Sequence, residues 1–310
     1  MSTSVLNAKH LHDEAAAYKW VEARVWPEGP VCPHCGGVER IGKLEGTSNR
    51  IGVYKCYQCR KPFTVKVGTV FEASHIKLHI WLQAMFLIAS SKKGISSNQL
   101  HRTLGVTLKT AWFMSHRIRL AMQKVGLEPM GGAGETVEID ETYIGRIEGA
   151  PVNPKGGAAH KNIVLTLVQR GGEARSFHIA STSRMDTEHV IRANVKRETA
   201  LMTDEARHYK DVGAQFASHD AVNHGNEEYV RYEAAKLITT NTVEGFYSIF
   251  KRGMKGVYQH CSEKHLHRYL AEFDFRYSNR VAMGVNDIAR TDRMVAGIVG
   301  KRLTYQQSDA

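Results

Sequence analysis

Four cysteines in two close pairs are the residues most ready to do chemistry. The stretch "CPHC" supplies Cys32 and Cys35, "CYQC" supplies Cys56 and Cys59, and twenty residues separate the pairs. That spacing lets two tight turns present four thiolates to one tetrahedral Zn²⁺, filling its coordination and making the ion structural. Seven Lys or Arg between Arg40 and Lys66 would offset the negative charge of such a centre. A ribbon with this basic surface suits DNA or another protein equally. Cys261 stands apart and reads as a packed thiol.

A second set of reactive groups is acidic. In "VEIDETYIG", residues 137–145, strand periodicity puts Val137, Ile139 and Tyr143 on one face and Glu138, Asp140 and Thr142 on the other. One face is expected to pack and the other to hold charge, since an ionised Asp140 in mid-strand needs a partner or a cation. Asp204 ends the apolar run of "TALMTDEARH", where a strand hands over to a helix. Glu244, in "TTNTVEGFYSIFKR", lies in the first turns of a helix expected to be capped near Asn241 or Thr242.

Two carboxylates from neighbouring strands and one from a facing helix can hold two divalent cations, the clamp used in phosphoryl transfer. Mg²⁺ (or Mn²⁺) suits such a donor set, because it takes few carboxylates and keeps positions for water and phosphate oxygens. Lys251 follows Glu244 by seven residues, roughly 10 Å along the same helix face, and could hold a DNA backbone there. Asn241, one turn before Glu244, is the rival for third ligand; Glu244 is preferred because an anion holds Mg²⁺ better. His224, like His219 and His265, is a further candidate for touching phosphate or a metal-bound water.

These groups need elements to position them. Residues 8–26 read as a helix stopped by Pro27, and 75–90 as an apolar-striped helix. "ISSNQLHRTLGVTLKTAWFMSHRIRLAM" has the pattern of a helix-turn-helix, with Ser96 or Ser97 as cap, Gly105 in the turn and Thr107 capping the second helix. Lys92 to Lys124 contains seven Lys or Arg and no acid, so Lys109, Arg117 and Arg119 are candidate DNA-binding residues. After the break "GLEPMGGAG" the texture turns to strands at 135–145, 162–170 and 174–181. A helix follows at 186–196, a strand at "TALMTDE", a helix at 205–212, a strand at 216–222, and helices at 242–250 and 262–275. The 145–162 insert, rich in Gly, Pro and Lys, reads as a loop.

The composition agrees with a polyanionic partner. Lys+Arg number 42 against 31 Asp+Glu, a formal charge of +11 with a pI near 9.4. No apolar run approaches the roughly 20 residues of a membrane span, and "MSTSVLNAKHLHDE" has neither a basic nor an apolar leader region. The expectation is a soluble protein of a reducing compartment, the cytoplasm, with no membrane partner.

The blocks "VEIDETYIG", "MTDEARHYKDVG", "VNHGNEEYV" and above all "NTVEGFYSIFKRGMKGVYQHCSEKHLHRYLAEFDFRYSNR" resemble the DDE transposases of bacterial insertion sequences that carry a zinc ribbon. The resemblance covers roughly residues 15–285. It implies an N-terminal zinc ribbon and a helix-turn-helix-like region ahead of an RNase H-like mixed-sheet domain, an α+β or α/β chain. The expected divisions are a helical lead at 1–30, the ribbon at 31–70, the helical region at 75–128, the catalytic domain at 132–285 and a tail at 286–310. It implies cleavage of DNA at an element end by a metal-activated water, then attack of the freed 3′-OH on target DNA. Position by position, Asp140 and Asp204 match the two aspartates, Glu244 the glutamate and Lys251 the following lysine; Arg252 lies in the most specific block and is, with Lys251, a candidate DNA-binding residue. Double-stranded DNA is the implied partner, and a homodimer or larger assembly the implied working form. The rival reading is a domesticated regulator that uses the ribbon and the helix-turn-helix without cleaving; a structure-selective nuclease is a third.

Overall fold

The computed structural model describes residues 4–152, 157–233 and 236–304. Parts of the expected lead (1–3), of the 145–162 loop (153–156) and of the expected tail (305–310) lie outside the described residues. The chain divides into two compact units, one of Met1–Ser91, Ile95–Gln123 and Val285–Ala310, the other of Lys92–Gly94 and Lys124–Gly284.

After two 3-10 turns, Val5–Asn7 and Lys9–Leu11, the first unit forms α1 (Glu14–Val25), capped by Asp13, whose side chain accepts from the Ala16 N–H. Three short antiparallel strands, β1 (Ile41–Lys43), β2 (Tyr54–Cys56) and β3 (Pro62–Phe63), form the ribbon. Its small core combines Cys32, Cys56 and Phe63 with Trp26 and Tyr54, and Trp26 meets Tyr54 edge-on at 5.5 Å. The four thiols converge: Cys32 Sγ lies 3.6 Å from Cys59 Sγ, Cys35 Sγ lies 3.7 Å from Cys56 Sγ, and all ligand atoms fall within 4.8 Å of one another. Zn–S bonds of about 2.3 Å in a tetrahedron require sulfurs about 3.8 Å apart, whereas a disulfide requires about 2.05 Å. The sulfurs therefore fit zinc and exclude two disulfides. Backbone N–H groups of Cys59 and then Gln58 bring the Cys56 thiol down to about 7, toward the thiolate that zinc takes.

Helices α2 (Leu78–Ser90), α3 (Ser97–Leu104) and α4 (Leu108–Met122) follow. Ser96 caps α3, Gly105 closes it at φ +65°, and Thr107 caps α4, as the helix-turn-helix pattern requires. The second helix is not a free reading helix, however. From Met114 to Arg119 every residue of α4 is buried, and Arg117 and Arg119 are 5 % and 2 % exposed. Arg117 donates to the carbonyls of Val70, Glu72 and Leu303, and Arg119 donates to Ser115. The structure thus places these two candidate DNA-binding arginines against buried oxygens, away from the exposed surface a phosphate would meet. Lys109, at the first turn of α4, is exposed.

The expected tail, 286–310, carries secondary structure among its described residues. They include α9 (Asp287–Ala296), which belongs to the first unit. Arg290 on α9 donates to the Ala89 carbonyl of α2 at 2.9 Å, and Asp292 accepts from Arg24 of α1 at 2.7 Å.

The second unit is built on β4 (Thr136–Ile144), β5 (Asn162–Gln169), β6 (Ala174–Ile179), β7 (Ala200–Thr203) and β8 (Ser218–Ala221), in the order β6-β5-β4-β7-β8. The first three are antiparallel neighbours, while β4–β7 and β7–β8 are parallel. Helices α5 (Arg184–Asn194) and α6 (His208–Gly213) cover one face. A hairpin without a clear signal in the sequence, β9 (Val230–Glu233) with β10 (Lys236–Thr239), leads into α7 (Asn241–Gly253), and α7 with α8 (Glu263–Ser278) covers the other face. Val137 and Ile139 pack toward α5 and α6, while Ile144, Val164 and Val168 pack toward α7 and α8. Both faces of β4 are thus covered by helices, not only the expected apolar one. This is a mixed α/β sheet of the RNase H-like kind. No helix among the described residues is long and apolar enough to cross a membrane.

Purified protein is expected to hold one zinc per chain by elemental analysis, and Cys32→Ser or Cys56→Ser to lose it with a change in Trp26 fluorescence. A chain free of zinc whose ribbon still resists protease would overturn the assignment.

Candidate active site

Strand register brings the two aspartates together. In the parallel pair β4–β7, Glu138 stands opposite Met202; two residues further along both strands come Asp140 and Asp204. Asp204 falls one residue past the end of β7, so its carboxylate sits where the strand releases the chain. This carboxyl edge of parallel strands is where α/β sheets place their ligands.

Glu244 arrives by a different route. Neither Asn241 nor Thr242 caps α7 with its side chain, contrary to the expectation from sequence, and Thr240 at the cap position makes no capping bond. The cap comes from the sheet. Glu138, wholly buried on β4, accepts from the Thr242 N–H (2.7 Å), the Val243 N–H (3.0 Å) and the Thr242 hydroxyl (2.7 Å). A carboxylate there satisfies orphan amide groups and favours the positive end of the helix dipole. Arg170, at the end of β5, neutralises the same acid at 2.7 Å and reaches the carbonyls of Leu237 and Thr239, tying down β10 as well. One turn along α7, the Tyr247 hydroxyl donates to the main-chain oxygens of Asp140 and Val164 at 2.6 and 3.0 Å. Glu244 lies between these two anchors.

The acids interact as like charges. Burial chiefly, then Glu141, lifts the Asp140 carboxyl to about 7; the Glu141 N–H opposes this, and Asp204 and Glu244 add to it. Asp204 is raised by burial first, against the Ala206 N–H, with Glu141 and Glu205 adding. Such carboxylates are the groups a divalent cation would relieve, and their oxygen donors suit Mg²⁺. Among the described residues, the four cysteines are gathered closely enough to hold a single ion; the three carboxylates are not drawn into such a group.

Around them stand residues that the sequence did not single out, Glu141, His208 and Tyr209, together with several that it did. On the opposite face of β4, Glu141 accepts from the buried Tyr209 hydroxyl. His208 Nε2 lies 3.1 Å from Glu141, an ion-pair approach without hydrogen-bond alignment. Contact with Glu141, and more weakly Asp204, raises the His208 pKa against the effect of burial. His224 stands 3.5 Å from Glu244, whose Oε1 also accepts from Thr240 at 3.0 Å. His219 instead turns to the Thr203 hydroxyl, at 2.9 Å. Lys251 holds its ammonium 5.8 Å from the Tyr247 ring, and Arg252 donates to Ser248. Asn241 is exposed, and its N–H donates to the Thr239 hydroxyl. The "ARHY" of "MTDEARHYKDVG" was visible in the sequence; its link to β4 was not.

Two outcomes are expected. Glu138→Gln should cost about 2–4 kcal/mol in urea unfolding, because Arg170 and the start of α7 lose a buried anion; a cost below about 1 kcal/mol would mean that the apolar face of α7 suffices. The second concerns pH. The Asp140 carboxyl, at about 7 in the folded protein, stands well above the ordinary aspartate value of 3.8, so the folded state keeps its proton longer. Its stabilising contribution is complete below about 4 and is lost as pH rises through about 7, at no more than about 1.4 kcal/mol for each pH step between those values. In magnesium-free buffer with zinc retained, Asp140→Asn should therefore be more stable than wild type at about pH 8, and a variant of equal or lower stability would refute this.

Residues 132–278 match the ISXO2-like transposase domain, and residues 12–62 match the transposase zinc-ribbon domain. A relative in Halobacterium salinarum, an uncharacterized protein in transposable element ISH50, is 27 % identical over 266 residues, covering 81 % of this chain and 86 % of that protein. With its cysteine ribbon and its mixed sheet under both matches, the chain belongs to the zinc-ribbon-bearing transposases of insertion sequences.

Proposed function

We propose that this transposase cleaves DNA at the ends of its element and joins the freed 3′-OH to target DNA, using Asp140, Asp204 and Glu244 to hold two Mg²⁺ or Mn²⁺ ions. The observation that carries the reading is the register that sets Asp140 beside Asp204, with Glu138 seating the helix that brings Glu244. When bound, the ions would polarise phosphoryl oxygens and ease deprotonation of the attacking water or 3′-OH. The chain's own residues supply placement. Asp140 and Asp204 form the sheet edge of the site, while Glu244 closes it from α7, oriented by Thr240 and His224. Lys251, two turns along the same helix, holds the DNA backbone beside the site.

Glu244 is preferred to Asn241 as third ligand because an anionic carboxylate holds Mg²⁺ better than a neutral amide, and its charge lies close enough to Asp140 to add to the rise of that carboxyl. Family membership and the net charge of +11 support double-stranded DNA as partner. Pairing of two ends by two or more copies is part of the same proposal.

The deciding assay follows strand transfer of labelled element-end DNA into a plasmid with Mg²⁺. Asp140→Ala and Glu244→Ala should each lower joining at least a hundredfold, the ~2.7 kcal/mol typical of losing one transition-state contact, while DNA binding persists. Joining that survives Glu244→Ala but not Asn241→Ala would hand the third position to Asn241. End binding by the wild type with no nicking or joining would replace the enzyme with a DNA-binding regulator.

A further inference from the structure

Helix α7 does not end cleanly after Lys251. It runs on into a π-helical turn, Met254–Tyr258, closed by Gln259 at φ +58°. Single π turns depart from the regular hydrogen-bond ladder and need outside support. Here the support comes from the distant segment Lys92–Gly94, which belongs to the same unit. A Cβ on Gly253 would lie 2.5 Å from the Lys93 carbonyl oxygen, and one on Gly94 would lie 2.0 Å from the Tyr258 hydroxyl. Only glycine allows so close an approach at both positions. Tyr258 in turn is held by Glu272 of α8, which also pairs with Arg276.

This packing has an electrostatic consequence. It sets the backbone of Lys92 and Lys93 against the end of α7, within a side-chain length of Arg252 and Lys255. All four side chains are exposed. Among the described residues, none of the four, nor Lys251, is ion-paired to a carboxylate. Elsewhere among the described residues of the unit both kinds of cation occur: Arg170, Arg175, Arg184, Arg192, Arg231, Lys236 and Arg276 are each matched with an acid, whereas exposed Lys196, Arg207 and Lys210 are not, so what sets the four apart is that the close backbone packing gathers them in one place. Lysine and arginine in the last turn of a helix also offset its dipole, but Lys92 and Lys93 belong to no helix and need another reason to be gathered there.

We propose that Lys92, Lys93, Arg252 and Lys255 form a phosphate track that carries the backbone of double-stranded DNA away from the acidic site along α7. The track rests on the transposase reading of that site and extends it to residues outside the catalytic motif. At 1.5 Å per residue, Lys251 and Arg252 lie about 10 and 12 Å beyond Glu244. That distance corresponds to about three to four base-pair steps of duplex from the scissile phosphate. Contacts of this kind position DNA without reading its sequence.

Zinc-loaded, full-length protein would be titrated against a labelled duplex of arbitrary sequence from about 50 to 200 mM salt. Lys92→Gln/Lys93→Gln should make the slope of log affinity against log salt shallower by about 1.8, two phosphate contacts' worth. Lys92→Arg/Lys93→Arg should restore it. The control Lys196→Gln/Lys210→Gln removes equal charge from exposed positions elsewhere in the unit and should leave the slope unchanged. An unchanged slope in the first variant, or an equal change in the control, overturns the track. If the wild type joins DNA ends while the first variant keeps its full slope, the track alone fails; if the wild type binds no DNA, the transposase reading fails with it.

Discussion

The candidate site depends on one buried charge. Glu138 is two residues from Asp140 on the same face of the same strand, yet it faces the start of α7 and accepts three hydrogen bonds from it. An ionised carboxylate without water is costly unless it is paired and hydrogen-bonded. Arg170 and the free amides at the helix start meet both conditions. The result is a rigid link between the strand that carries Asp140 and the helix that carries Glu244. Two acids of one strand are thus divided by environment: one is neutralised to hold the helix, and the other keeps its place beside Asp204.

Crowding of the remaining acids is tolerated because the surrounding structure is over-determined. Tyr247 fixes the main chain at Asp140, Tyr209 and His208 engage Glu141, and Thr240 and His224 engage Glu244. Raised proton affinity at Asp140 and Asp204 comes from burial first and from that crowding second. Perturbed carboxylates gathered at the end of parallel strands are typical of sites built for charge-stabilising chemistry.

Positive charge follows a similar division of labour. Arg117, Arg119, Arg170 and Arg276 are structural, satisfying carbonyls, a hydroxyl or buried acids. The cations around the end of α7 have no acid partner among the described residues. Net charge therefore overstates the surface open to a polyanion, and only the side-chain environment separates the two classes.

Much of this protein was legible before folding. Cysteine spacing alone specified a four-thiolate centre, because two short turns leave few other ways to place the sulfurs. The Ser96, Gly105 and Thr107 signals marked the ends of α3 and α4, since caps and left-handed turns are local chemistry. The strands and helices beyond residue 132 other than β9, β10 and α9, and three acids, one in mid-strand, one at a strand end and one at a helix start, were visible for the same reason. What required tertiary structure was every partner distant in sequence. Glu138 reads as one more acid in "VEIDETYIG" until α7, over a hundred residues later, docks on it. Arg117 and Arg119 read as a basic face until the core closes over α4, and 286–310 reads as a tail until α9 reaches α1 and α2. Periodicity and caps are set by neighbours along the chain, whereas burial and ion pairing are set by whatever the fold brings across the sheet.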